Sequence, residues 1–208
     1  MNKSDQKTLL SVIIITKNEG DSILECLESV RWASEIIVVD AGSSDNTVKI
    51  AKKFGAKTFI YPDWLGFGEQ KNRALKLASN EWVLSIDADE RIPSELALEI
   101  KAAIEVNKPC ISFKIPRLSS YCGQFIHHSG WQPDYVLRLF PRKSAKFSSD
   151  IVHERVLFNG EIKKLNNSMI HFSYETLDEV LDKTNRYSSA GAETVSYTHL
   201  TLPTILLV

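Results

Sequence analysis

Short apolar runs and amphipathic stretches alternate through the first half of the chain. Residues 10–15, Leu-Ser-Val-Ile-Ile-Ile, are a β-branched run that reads as a strand. Residues 19–30 carry Ile23, Leu24, Leu27 and Val30 at a helical period. A second apolar run at 35–39 is followed by Ser44-x-x-Thr47 and by Val48, Ile50, Ala51 and Phe54, a helix with Gly55 placed to close it. The alternation continues with a strand at 57–60, a helix at 69–79, a strand at 82–86 and a helix at 93–106, where Pro93 sits in a tolerated first-turn position. Near-continuous apolar strands separated by helices predict a parallel sheet covered on both faces.

The second half changes character. Residues 111–115, 135–140, 155–158 and 169–172 read as strands without helices of comparable length between them, so a mixed or antiparallel extension is expected. Leu177, Val180, Leu181, Tyr187 and Ala190 predict a helix over 176–190. Helix character stops near Glu193, and from 195 to 208 the chain turns to threonine and leucine without charge, so 193–208 reads as a non-native or disordered tail carrying no function. The predicted organisation is one α/β domain with halves at 9–109 and 110–192, followed by that tail.

Composition narrows the function classes. A formal net charge of −1 gives no general affinity for nucleic acid. Cys26, Cys110 and Cys122 have no metal-ligand spacing and read as reduced thiols, with Cys26 a core filler inside a helix. The first eight residues are polar, unlike a signal peptide, and no run approaches the roughly 20 apolar residues of a membrane span. A cytoplasmic protein is expected, one that meets any lipid substrate at the membrane surface.

The candidate chemistry gathers at predicted strand ends. In doubly covered parallel sheets, ligands bind at the carboxyl ends of the strands. Thr16, Lys17 and Asn18 follow the first strand, Asp40 ends the second, and Asp87 and Asp89 end the fourth. Two carboxylates one residue apart suit a hard divalent cation, which takes one or two of them and fills its remaining positions with water and phosphate oxygens. A solvated acidic turn is the alternative for that pair. Asp40 can accept from a pyrimidine ring N–H or ribose hydroxyls. Gly42 allows a sharp turn, and Ser44 or Asp45 can cap the following helix. Arg138, Arg142, Lys143 and Lys146, interleaved with Phe140 and Phe147, form a basic cluster suited either to a phosphorylated or anionic surface or to a solvated edge strand.

Residues 11–18, the stretch Val38-Val39-Asp40-Ala41-Gly42-Ser43-Ser44-Asp45-Asn46-Thr47 and Asp87-x-Asp89, in this order and spacing, resemble glycosyltransferase family 2 on a GT-A fold. Residues 64–74 and Val152-His153-Glu154-Arg155-Val156 resemble the branch of lipopolysaccharide inner-core β-glucosyltransferases. The resemblance implies a Rossmann-like, mostly parallel sheet flanked by helices. It implies an inverting enzyme that moves glucose or another hexose from a nucleotide-sugar, commonly UDP-linked, to a saccharide or glycolipid of the lipopolysaccharide core or cell envelope. Thr16, Asn18, Glu19, Asp40, Lys71 and Asp87 would line the nucleotide site, with Asn72 beside Lys71. Asp89, with Asp87, would hold Mg2+ or Mn2+. Glu154 would be the general base, with Asp150 as second choice. His153 and Trp131, with His127 and His128, would line the acceptor side, and His171 would complete the metal site or serve structurally. The enzyme would work in the cytoplasm, in peripheral contact with the inner membrane. A sugar-phosphate nucleotidyltransferase is an alternative, but it expects a glycine-rich loop where this chain has Thr16-Lys17-Asn18-Glu19. A non-catalytic nucleotide-sugar-binding relative is the other.

Overall fold

The computed structural model describes residues 8–106, 110–128, 131–149, 154–174, 176–178, 180–181, 184–185 and 188. The first half is the predicted βα alternation: β1 (Thr8–Thr16), α1 (Ile23–Ser29), β2 (Ala33–Asp40), α2 (Thr47–Phe54), β3 (Lys57–Ile60), α3 (Phe67–Leu77), β4 (Trp82–Asp87) and, after the two-residue β5 (Glu90–Arg91), α4 (Ser94–Val106). Strands β3, β2, β1 and β4 lie side by side and parallel. Gly55 closes α2 in the left-handed conformation, φ 99°, as its position predicts.

Both faces of this sheet are covered, which is why the strands read as continuous apolar runs. Leu10, Val12 and Ile14 of β1 pack with Ile23, Cys26 and Leu27 of α1, Ala51 of α2 and Leu96 and Ile100 of α4. Ile13 points the other way, into a cluster with Ile37, Val39, Val83, Phe140 and Ala74 and Leu75 of α3. Burying a side chain such as Ile13 or Ile14 contributes about 1.5–3 kcal/mol relative to leaving it exposed.

The second half extends the same sheet: β6 (Ile111–Tyr121), β7 (Gln124–Phe125), β8 (Asp134–Pro141), β11 (Glu161–Lys164) and β12 (Met169–Tyr174). The order is β3-β2-β1-β4-β8-β6-β12-β5, with β7 and β11 also on β6. Strand β8 runs antiparallel to both β4 and β6, whereas β11 and β12 run parallel to β6. The extension is therefore mixed, as expected. Strand β8 is interior, however, so the solvated-edge alternative fails for Arg138, whereas Lys143 and Lys146 are exposed. A separate antiparallel pair, β9 (Ala145–Phe147) and β10 (Val156–Phe158), packs through Phe147 against the α3 side.

Helix α1 starts at Ile23, four residues later than the period suggests. Asn18 has φ 56°, and the backbone N–H groups of Glu19 and Gly20 donate to Thr47 Oγ1 (2.8 Å) and Asp45 Oδ2 (2.9 Å). These bonds hold residues 18–20 as a loop against the start of α2. Within the predicted C-terminal helix, the described positions 177, 178, 180, 181, 184, 185 and 188 are helical. The predicted tail over 193–208 lies outside the described residues.

Candidate functional site

The register of the parallel strands sets the site. Thr16 lies opposite Asp40, and Ile15 opposite Asp87, so the three polar termini end on one edge.

Asp40 is fully buried. Its Oδ1 accepts from the backbone N–H groups of Gly42 (2.9 Å) and Ser43 (2.8 Å), and its Oδ2 accepts from Thr16 Oγ1 (3.0 Å) and Ser43 Oγ (2.5 Å). Four donors occupy the roughly four acceptor positions of a carboxylate. Asp40 thus shapes the loop, and contact with a base through it requires Ser43 to turn away. Gly42 is needed here: its φ is +83°, and a Cβ would stand 3.3 Å from Pro62 Cβ. Exposed Asn18 joins the rim, its N–H donating to Ser43 Oγ (2.7 Å) and its Oδ1 accepting from Ser44 N–H (2.8 Å). Asp45 and Thr47 take the turn and capping role, with Asp45 Oδ1 accepting from Thr47 N–H (2.9 Å).

Beyond this rim lies a chain of charges. Lys71 of α3 is 4% exposed, which rules out a solvated helix face. Its Nζ stands 3.0 Å from Asp87 Oδ1 and 2.7 Å from Glu154 Oε1. Arg138 of β8 reaches Asp87 Oδ2 and Glu90 Oε1, both at 2.6 Å. Glu90 is fully buried and accepts the Asp87 backbone N–H at Oε2 (2.9 Å), and Arg117 stands 3.8 Å from its Oε1. Burial alone would raise the Asp87 carboxyl, but Arg138 and Lys71 overcome it and hold the group well below the usual carboxylate range. Burial pushes Glu90 up, against Arg138, and the charges of Asp87 and Asp89 add to the rise. Each Asp87 oxygen thus faces a cation, which turns this carboxylate away from a metal-ligand role in this arrangement.

Asp89 is different. Its Oδ1 is buried and, among the described residues, has no hydrogen-bond partner, while Oδ2 lies 3.4 Å from His171 Nε2. His171 of β12 reaches Asp89 because β12 pairs with β5, and its Nδ1 is 3.0 Å from Ser119 Oγ. Among the described residues no group of three or more His, Cys, Asp and Glu forms a metal cage. An orphaned carboxylate oxygen beside one imidazole fits a hard divalent cation that draws its other ligands from water and phosphate. It does not fit a four-ligand structural zinc site.

Glu154 reaches Lys71 because the first turn of α3 comes close, at Gly68, to the chain that leaves β9. A Cβ on Gly68 would lie 1.8 Å from Ser148 O and 3.6 Å from Glu154 Cβ. Asn72 fixes the same contact, exchanging hydrogen bonds with the Phe147 backbone at 3.0 and 2.9 Å. Asn72 therefore braces β9, in place of the predicted nucleotide contact. Trp131 is 40% exposed, edge-on to Tyr121 at 5.9 Å between centroids. Strand alternation puts Arg117, Ser119 and Tyr121 on one face of β6, the face His171 occupies. His127 and His128 are exposed. His153 and Asp150 lie outside the described residues.

Two site residues escape sequence reasoning. Arg138 is not part of a surface basic cluster, since it is 5% exposed beneath Asp87. Glu90, next to the paired aspartates, carried no signal beyond its place in a run of acids. The half-buried Asp87, paired with both Lys71 and Arg138, also excludes the solvated acidic turn.

The model of the family described as "Glycosyl transferase family 2" matches residues 11–163. The chain belongs to that family. An uncharacterised glycosyltransferase of Rickettsia typhi is 36% identical to it over 196 residues, covering 88% of this chain and 67% of the relative. The lipopolysaccharide core biosynthesis glycosyltransferase LpsC of Rhizobium meliloti is 30% identical over 198 residues, covering 90% and 72%. Among solved structures, S. aureus TarS 1–349 superposes with a TM-score of 0.58 at 20% identity, covering 79% of this chain and 60% of TarS, and the likeness shows a GT-A fold. Membership of family 2 removes the nucleotidyltransferase alternative.

Proposed function

We propose that this family 2 member is an inverting glycosyltransferase that moves a hexose from a UDP-linked donor to a saccharide or glycolipid acceptor of the lipopolysaccharide core. The observation that carries the proposal is the Lys71 bridge, which sets a third carboxylate, Glu154, beside the strand end that bears Asp87 and Asp89. LpsC, at 30% identity, supports the acceptor class.

Thr16, Asn18, Glu19 and Asp40 shape the rim that receives the nucleotide, and Lys71 faces its diphosphate. Asp89, with His171, would hold Mg2+ or Mn2+, which when bound offsets the charge that develops on the departing diphosphate. Ser119 fixes the His171 ring by engaging its other nitrogen. Asp87 holds Lys71 and, through Arg138 and Glu90, keeps its turn rigid. The acceptor hydroxyl attacks the anomeric carbon from the face opposite the diphosphate. A new C–O bond forms, the bond from the anomeric carbon to the diphosphate oxygen breaks with its electron pair, and the hydroxyl proton passes to Glu154. Trp131, backed by Tyr121, offers an exposed ring for the acceptor sugar on the His171 face of the sheet. No described helix is long and apolar enough to cross a membrane. In this proposal a glycolipid acceptor is met at the inner membrane surface.

The test is transfer from radiolabelled UDP-hexoses to a truncated lipopolysaccharide core, with the product's anomeric configuration read by NMR. Glu154→Gln should lower turnover at least a hundredfold, within the usual contribution of general base catalysis. A retained configuration, or unchanged turnover in Glu154→Gln, would overturn the mechanism.

A further inference from the structure

Lys71 is shared between Asp87 at the strand end and Glu154, the base in the proposed reaction. Its Nζ is 2.7 Å from Glu154 Oε1 and 3.0 Å from Asp87 Oδ1, and the side chain is 5% exposed. An ammonium has three N–H donors and no acceptor. Two of them are directed at carboxylates, and the Phe147 ring centroid lies 5.9 Å away on another side. Asp87 is also held by Arg138, so it does not depend on Lys71 for compensation. Among the described residues Glu154 has no other hydrogen-bond or ion-pair partner, and its bond to Lys71 takes up part of the carboxylate's capacity to accept a proton.

We infer that Lys71 couples donor binding to the release of the base: it holds Glu154 Oε1 while the donor site is empty and turns to the diphosphate of a nucleoside diphosphate when that site fills. The inference rests on the assignment of Glu154 as the base and of this edge as the donor site. The arriving diphosphate presents new anionic oxygens beside Asp87, where the butylammonium stem of Lys71 is already anchored by α3. Lys71 then exchanges one carboxylate for a phosphate, and both oxygens of Glu154 are left without a cation. Departure of the nucleotide restores the Lys71–Glu154 pair. The coupling favours donor before acceptor, since the base is free only in the donor complex. In the absence of donor, Glu154 and the diphosphate compete for the same cation, and this competition has a measurable sign.

Removing the competitor tightens nucleotide binding. Titration calorimetry of UDP, dTDP and GDP, each with Mn2+, gives the nucleotide bound best by the unmodified protein, and that nucleotide is then titrated into variants. Glu154→Gln should bind it roughly fivefold more tightly, inside the coupling range of residues in one ion-pair network. The gain should vanish when Glu154→Gln is made in a Lys71→Met background. Glu69→Gln removes an equal charge from the first turn of the same helix, and it should leave the affinity within twofold. That comparison also carries the test should Lys71→Met fail to fold. Unchanged or weaker binding by Glu154→Gln, equal tightening in the Lys71→Met background, or equal tightening by Glu69→Gln overturns the coupling. Loss of transfer by Glu154→Gln with unchanged nucleotide affinity refutes the coupling and leaves the base assignment intact. Tightened binding with transfer preserved overturns the base assignment and the release of a base with it, and leaves only a competition between Glu154 and the diphosphate for Lys71. Failure of all three nucleotides to bind the unmodified protein overturns the donor site and the coupling together.

Discussion

Replacing Arg138 by methionine should be among the most damaging single changes in the described structure. The guanidinium is 5% exposed and makes two charge-assisted contacts of 2.6 Å, to Asp87 Oδ2 and Glu90 Oε1. Methionine fills much of the same volume, so the loss is electrostatic more than steric. It leaves Glu90, fully buried, with one backbone N–H and with Arg117 at 3.8 Å. Removing one partner of a buried ion pair costs about 3–5 kcal/mol, because the other charge stays behind uncompensated. For a protein of this size that corresponds to a fall in Tm of roughly 6–20 °C. If the stranded charge is the cause, deleting it should repair the damage. Glu90→Gln in the Arg138→Met background retains an oxygen for the Asp87 N–H and removes the charge, so the double variant should recover at least about half of the loss. The assay is urea unfolding followed by circular dichroism, with thermal melts alongside. A single variant within about 1 kcal/mol of the parent, or a double variant no more stable than the single one, would refute the electrostatic account.

Other consequences are equally concrete. At the far end of the sheet, Glu35 accepts from Ser11 Oγ, from Lys57 Nζ (2.6 Å) and from Ser79 N–H (2.8 Å). Burial opposes ionisation there, but the Lys57, Ser11 and Ser79 contacts win and bring Glu35 down from 4.5 to about 2. A depressed folded-state value means its stabilisation is full above pH ~4.5 and disappears as pH falls toward 2; it is worth at most about 3 kcal/mol, so Glu35→Gln should flatten the acid limb of the stability curve between those values. Gly68→Ala should destabilise by about 1–3 kcal/mol and reduce transfer, because the added methyl meets Ser148 O at 1.8 Å and drives α3 from Glu154; an unchanged melt would contradict that packing. Trp131→Ala should raise the acceptor KM about tenfold and leave the donor KM unchanged, on the scale of one lost aromatic contact; equal shifts in both would argue against an acceptor role.

The parallel half was legible because its pattern is local. Apolar runs such as 10–15 and 35–39 are continuous only where both faces of a sheet are covered, and the polar residues at their ends fall on one edge through register alone. The paired aspartates stand out by residue type and spacing, and Glu154 only through the resemblance to family 2. What joins them was hidden, because the joining groups come from distant strands. Arg138 reads as one member of a basic cluster with Arg142, Lys143 and Lys146, and it becomes interior only because β8 inserts between β4 and β6. His171 meets Asp89 through the pairing of β12 with the two-residue β5, a contact 82 positions apart that no periodicity announces. Asp40 was recognised by position, but its saturation by Thr16, Gly42 and Ser43 depends on side-chain directions absent from a sequence pattern. Asn72 fits a nucleotide-contacting motif by type, and only the approach of β9 to α3 shows that its amide is already spent on Phe147.

The central claim is that the edge bearing Asp87 and Asp89 holds a metal-bound nucleoside diphosphate. The direct measurement is the thermal stability of the parent and of Asp89→Ala, each with UDP and with or without Mn2+. At a 100-fold excess over Kd, the parent should gain about 2.7 kcal/mol with UDP and Mn2+ together. That gain should be lost without the metal and lost in Asp89→Ala, whose own melt in the absence of ligand stays cooperative. The same stabilisation in Asp89→Ala, or in the parent without any divalent cation, would contradict the claim.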